Sequence, residues 1–159
     1  MLTGTQAPDN LKLAGGRILF DPGFQGGAIT DLTIDGTKLD TTRTITGTLT
    51  MNGGTLAGQV TIAPGGRLEL ASSTTKTFES LTLLNLGLVV YSGGVVNEGS
   101  LAPHSVVTNA SLWEMSFDGG FAYTGPQGFP RFVNSGTFRK TAGTGNARLR
   151  ANRPGRRQR

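Results

Sequence analysis

Six Gly-Gly pairs, short apolar–polar–apolar triplets between them and a recurring step of about 20 residues predict an all-β chain. The expected form is a right-handed parallel β-helix (β-solenoid) with coils of about 20 residues. The pairs stand at 15–16, 26–27, 53–54, 65–66, 93–94 and 119–120, among 25 glycines in 159 residues. Leu49-Thr50-Met51, Val60-Thr61-Ile62, Leu68-Glu69-Leu70 and Leu81-Thr82-Leu83 each put two apolar side chains on one face of a strand and a polar one on the other. Leading members of these triplets fall at 49, 68 and 88, and an interleaved set at 60, 81 and 101. Two interleaved series with one step imply coils holding at least two strands each. Such a coil cannot bury its apolar face alone, and stacking at about 4.8 Å makes the core continuous.

Helix is excluded on the same residues. No window keeps apolar positions at i, i+3, i+4 and i+7 without an interrupting glycine, each of which costs a helix about 1 kcal/mol. Apolar residues make up 36% and charged residues 16%, and Gly, Thr, Ser and Asn fill the difference. That is turn and strand composition. The absence of cysteine excludes disulfides, Cys-based zinc sites and thiol chemistry. No apolar run reaches the roughly 18 residues of a membrane-spanning helix. Met1-Leu2-Thr3-Gly4-Thr5-Gln6 has neither the basic nor the apolar region of a signal peptide, so an export signal is expected upstream of this sequence if the protein is exported.

Along the chain, residues 1–30 read as an irregular first coil or cap, with a turn at Asp21-Pro22-Gly23. Residues 31–145 read as the solenoid. Within it, Ser72 to Thr77 is a polar loop, and Leu86 to Val90 is a strand with both faces partly covered. From Ser111 the filling becomes aromatic: Trp113, Phe117, Phe121, Tyr123, Phe129, Phe132 and Phe138. Phe132 to Phe138 reads as strand, Asn-Ser-Gly turn, strand. Residues 146–159 read as a disordered Arg-rich tail. The last thirteen residues hold six Arg and no acid, whereas residues 1–146 carry nine bases against ten acids. The net +5 therefore belongs to the tail and the body is near neutral.

Candidate chemistry is sparse. One histidine, His104, without cysteine cannot build an ordinary zinc site, and it reads as a solvated loop residue. Asp31, Asp35 and Asp40 cluster near Lys38 and Arg43; paired carboxylates support glycoside hydrolysis, but Asp beside Gly or Thr is ordinary turn chemistry. Gly-Gly pairs without tandem Gly-x-Asp nonapeptides do not make calcium sites. Outward rows expected as Thr50, Glu69, Val89 and Thr61, Thr82, Ala102 are too irregular for an ice-binding plane. The Arg tail has charge for nucleic acid but no interleaved aromatics, and nucleic acid is not expected as a partner. No catalytic residue, metal or cofactor is expected. Trp113, Phe121 and Tyr123 are the candidates for glycan or partner binding, because exposed Trp and Tyr stack on sugars and anchor partners. The competing role for the same rings is core filling.

Phe132-Val133-Asn134-Ser135-Gly136-Thr137-Phe138-Arg139-Lys140-Thr141-Ala142-Gly143-Thr144-Gly145 resembles the Asn-x-Gly-Thr-Phe repeats of bacterial secreted or surface β-solenoid proteins. These are similar to autotransporter passengers and filamentous-haemagglutinin-type adhesins. Thr46 to Gly54 resembles their shorter coils, and Trp113 stands where such segments often carry one. The resemblance covers about residues 30–145 and transfers no catalytic residue. It implies a non-enzymatic structural or adhesive segment of a secreted or cell-surface protein, a fragment of a longer chain. The runner-up is a β-helix polysaccharide lyase or hydrolase, or a glycan-binding module. Implied partners are surface glycans, host or cell-surface proteins, and the chain itself through its solenoid ends. Repeat texture stops after Gly145, which suggests a truncated or frame-shifted tail; reading the neighbouring DNA in other frames tests this.

Overall fold

The computed structural model describes residues 10–99, 103–123 and 131–149. It is a β-solenoid of about six turns with a spacing near 21 residues, and it has no α-helix among the described residues. Three faces form the wall. Face A stacks β1 (Leu11–Ala14), the end of β3 (Ala28–Asp35), the end of β4 (Lys38–Met51), β6 (Arg67–Leu70), β8 (Leu88–Tyr91), β11 (Leu112–Met115) and β14 (Thr137–Lys140). Face B stacks β2 (Arg17–Ile18), the start of β4, the start of β5 (Gly54–Ile62), the start of β7 (Lys76–Asn85), β9 (Val96–Glu98), β12 (Gly120–Tyr123) and β15 (Arg148–Leu149). Face C stacks the start of β3, the middle of β4, the ends of β5 and β7, β10 (Val106–Asn109) and β13 (Arg131–Asn134). Every pairing between these strands is parallel, as winding in one direction requires.

The core is a set of side-chain ladders. On face A one row runs Leu11, Leu32, Leu49, Leu68, Val89, Trp113, Phe138. A second runs Leu13, Ile34, Met51, Leu70, Tyr91, Met115, Lys140. Face B contributes Ile18, Leu39, Leu56 and Phe78, and face C contributes Val60, Leu83, Val107 and Phe132. Leu32, Leu49, Leu68, Leu39, Leu56 and Leu83 are fully buried. Each such side chain contributes roughly 1.5–3 kcal/mol against exposure.

Turn chemistry divides between corners. Gly-Gly pairs at 15–16, 53–54, 93–94 and 119–120 lie between faces A and B. The corner between C and A holds a different column: Gly47, Gly66, Gly87 and Gly136. A Cβ on these would overlap Thr30 O, Ile45 O, Ala63 O and Ser111 O respectively. There the backbones of successive coils touch, and a side chain does not fit.

Coil length is not constant. Along the first face A row the numbering advances by 21 from Leu11 to Leu32, by 17 to Leu49, then by 19 to Leu68, 21 to Val89, 24 to Trp113 and 25 to Phe138. Two expected alignments therefore slip. Val89, not Leu88, stacks on Leu68, and Leu83, not Leu81, stacks on Val60. The second slip includes a bulge: Ala57 faces Glu79 while Gly58 faces Leu81, leaving Ser80 as an extra residue at φ 50°. The outward rows accordingly become Thr50, Glu69, Val90 and Thr61, Leu84, Thr108. Leu86-Gly87 is a corner, and the strand starts at Leu88. The strands on either side of Asn134-Ser135-Gly136 exist but do not pair with each other; β13 lies on β10 and β14 on β11. The tail boundary expected at 146 falls inside the last coil, because Arg148–Leu149 pairs with β12. Residues 150–159 of that tail lie outside the described residues.

Candidate functional site

The three aromatic candidates separate. Trp113 is fully buried in the face A ladder, on the core side of its strand. Phe121 is half-buried, with its ring centroid 5.8 Å from Trp113 and 6.1 Å from Phe132. Tyr123 stands on β12 beside Glu98 in register, and its side chain is outside the described atoms. Trp113 and Phe132 meet edge to face at 5.3 Å, and Phe132 and Phe138 at 6.1 Å. These rings fill the core of the last coils. Trp113 Nε1 is buried with no hydrogen-bond partner among the described residues.

The carboxylates of the second coil do not converge. Asp31 accepts from Asn10 N at 3.0 Å, Asp35 pairs with Lys12 at 2.7 Å and Asp40 pairs with Arg17 at 3.0 Å. Each engages a different group of the first coil. Asp40 also lines a cleft of about 330 Å³ with Leu19, Phe20, Thr42 and Arg43. Arg43 donates to Phe24 O at 2.8 Å and to Asp21 O, and lies 5.4 Å from the Phe20 ring centroid. Its guanidinium ties the first coil's carbonyls to the second coil at the cleft. No group of three or more metal-ligating side chains exists among the described residues.

Buried polar chemistry concentrates in the second half and was not legible from composition. Lys76, expected in a polar loop, is fully buried. Its Nζ donates to Ser72 O at 3.1 Å, Thr74 O at 2.8 Å and Gly93 O at 3.0 Å, and burial pulls its pKa below the usual lysine value. The ammonium thus gathers the turn carbonyls of two coils. Tyr91 acts alike: its hydroxyl accepts from Val96 N at 3.0 Å and reaches Gly94 O and Gly120 O at 2.8 and 3.0 Å, and burial raises its pKa. Lys140 repeats the device on Gly143 O and Gly145 O, and its hydrogen-bonded ion pair with Asp118 lowers that exposed carboxyl's pKa. Glu98 is buried, and desolvation raises its pKa despite the 2.6 Å bond it accepts from Ser105 N. Ser105 Oγ in turn accepts from Leu81 N at 3.0 Å. His104 is half-buried near Glu98, not a solvated loop residue.

The corner between faces C and A carries an asparagine ladder. Asn85 Nδ2 donates to Asn109 Oδ1, and Asn109 Nδ2 to Asn134 Oδ1, both at 2.6 Å. Each also donates into the coil above, to Leu112 O at 3.0 Å and Thr137 O at 3.1 Å. Asn85 Oδ1 accepts from Gly87 N, closing its own turn. Asn134 lies in an Asn-x-Gly motif, Asn134-Ser135-Gly136, which reads as a turn in the sequence. Asn85-Leu86-Gly87 and Asn109-Ala110-Ser111 are the same signal at steps of 24 and 25.

The ladder ends in the open. Asn134 is exposed, and its amide turns back to Gly136 O at 3.1 Å. β13, β14 and β15 each have a neighbour on one side only among the described strands. Phe132 and Phe138 are half-buried against the core. This end can accept another strand edge and another apolar layer. No known protein family, curated protein or solved structure matches the chain.

Proposed function

We propose that this chain is a non-enzymatic structural or adhesive β-solenoid segment of a secreted or surface-attached bacterial protein. The observation that carries the reading is the continuity of the ladders: coil after coil repeats the same three faces, and the outer charges are used to tie coils together. Lys12–Asp35, Arg17–Asp40, Lys38–Glu79 and Glu114–Arg139 each join residues of different coils. Side chains committed to neighbouring coils make a wall rather than a reacting centre. The likeness of residues 132–145 to surface β-solenoid repeats supports the same conclusion.

The test displays the chain on bacteria through a surface anchor. Retention on glycan-coated and cell-coated surfaces is compared with an anchor-only strain, and several-fold higher retention is expected. In parallel, the purified chain is incubated with acidic polysaccharides and assayed for reducing ends and unsaturated uronides. Release that disappears in Asp40→Asn would replace this reading with the polysaccharide-active one.

A further inference from the structure

The two ends of the stack are built differently. At the head, the first coil has no face C strand among the described residues. A 3-10 turn, Phe24–Gly27, stands there instead. Phe20 stacks on Phe24 with ring centroids 4.3 Å apart and planes within 4°. Buried Gln25 donates to Asp31 O and accepts from Thr30 N, at 2.9 and 2.8 Å. Together with Arg43 these groups cover the core on that side. At the tail, Phe132 and Phe138 are half-buried above the fully buried Trp113, and nothing among the described residues lies on them.

Backbone direction at the tail is fixed by hydrogen bonds. Thr137 N and Thr141 N donate back to Ser111 O and Met115 O, and Arg131 N and Ser135 N donate back to Ser105 O and Asn109 O. Alternate residues of a strand address opposite neighbours. Phe138 and Lys140 on β14, and Phe132 and Asn134 on β13, therefore turn their peptide groups to the open side. Two strands offer unpaired donors and acceptors beside an apolar floor.

We infer that the open tail docks on the same tail of a second copy, giving a closed, two-fold dimer. This deepens the structural reading by naming the chain itself as a partner. Continuation of an interface already used within the molecule supports it: coil on coil, backbone to backbone, ring on ring. Charge and topology choose the orientation. In a head-to-tail stack β14 would meet β1, setting Arg139 over Lys12 and Lys140 over Leu13. β13 would meet the 3-10 turn, which has no strand to offer. In a tail-to-tail pair β14 meets β14 antiparallel. With Phe138 on the two-fold axis, the Phe138 rings meet and Arg139 faces Thr137 of the other copy, with no like charges directly opposed. Such an isologous contact closes at two subunits, whereas head-to-tail contact grows without limit.

Sedimentation velocity of the full chain across a wide concentration range is expected to show a monomer–dimer equilibrium that stops at dimer. Hydrogen exchange on the unmodified chain gives a readout without substitution: residues 131–141 gain protection as the dimer forms and residues 10–20 do not. Phe138→Lys and Phe132→Lys each weaken dimerisation by about tenfold or more while far-UV circular dichroism stays β-rich. A monomer at all concentrations overturns the inference. Open-ended polymer, protection at residues 10–20, or a dimer untouched by both folded variants overturns it equally. None of those outcomes bears on surface retention, so this dimer and the structural reading fail separately.

Discussion

Ile29, Ile45 and Ile62 occupy the same register row as Asn85, Asn109 and Asn134, yet the two halves of that row hold the stack by different means. In the first half the corner is dry. Isoleucines fill it, and the numbering advances by only 16 and 17 between them. In the second half the steps rise to 23, 24 and 25, and an amide replaces the branched chain. An isoleucine tolerates sliding over its neighbour; an amide chain with two donors and one acceptor in place does not. Apolar packing supplies bulk stabilisation, and the amide ladder fixes register, because misaligned Asn side chains would leave buried polar groups unpaired. Elsewhere the division is one of charge: the buried polar groups of the first coils are the neutral Gln25, Thr37 and Thr41, while the later coils bury Lys76 and Glu98 beside Asn85, Ser105 and Asn109.

Four variants break or sharpen this contrast. Ile45→Ala empties the dry half between Ile29 and Ile62 and is expected to cost about 2–5 kcal/mol in urea unfolding. Asn109→Ala cuts the ladder at its centre: Asn85 Nδ2 keeps only Leu112 O, and Asn134 Oδ1 and Thr137 O lose their donor. A loss of about 2–3 kcal/mol is expected, with exchange rising in residues 131–141 more than in residues 38–62. Equal rises in both segments would show that the amides do not hold register locally. Lys76→Met leaves three carbonyls without their donor and destabilises at pH 7. It also changes pH dependence. Lys76 is lowered in the fold, so the unfolded chain binds more protons between that lowered value and the ordinary 10.5, and the parent gains stability as pH rises through this window. Denaturation at pH 7 and pH 10 should show this gain in the parent and not in Lys76→Met. Glu98→Gln gives the smallest effect. Glu98 is raised in the fold, so its contribution is full below the unfolded value near 4.5 and is lost as pH rises through the raised one. The amide keeps an acceptor for Ser105 N without that loss. The variant should match or exceed the parent at pH 7 and lose this advantage at pH 4; a deficit at pH 7 would show that the charge itself is needed.

Much of the wall was legible in the sequence. Two-residue alternation marks the inward positions, and glycine pairs mark the corner between faces A and B. What misleads is the assumption of one step length. A constant step aligns Leu81 with Val60 and hides the extra Ser80, whose positive φ has no sequence mark because serine is not a usual left-handed residue. The same assumption conceals the asparagine ladder, whose members recur at 24 and 25. Lys76 is opaque for another reason. Lysine beside a run of Ser and Thr reads as solvent-facing, and only the turn carbonyls of two separate coils show what neutral groups surround its ammonium. For the aromatics, composition locates the cluster but not its direction. Burial decides direction, and it puts Trp113 inside.

The lengthening of the coils has a mechanical consequence. Hydrogen bonds between coils run along the stack, so tension on the tail opens them one coil at a time like a peeled tape. The outermost coil is the longest, so the first rip should free about 25 residues, or about 85 Å of extended chain, later rips should shrink toward about 58 Å at the 17-residue coil, and the head coil of 21 residues should release about 71 Å. A force–extension trace pulled from residue 149 should therefore show contour steps that descend to the 17-residue coil and rise again at the head coil. Pulled from the head instead, a coil of 21 residues goes first, the 17-residue coil follows and the steps then lengthen toward the tail, so the molecule resists with a different rhythm according to which end is held.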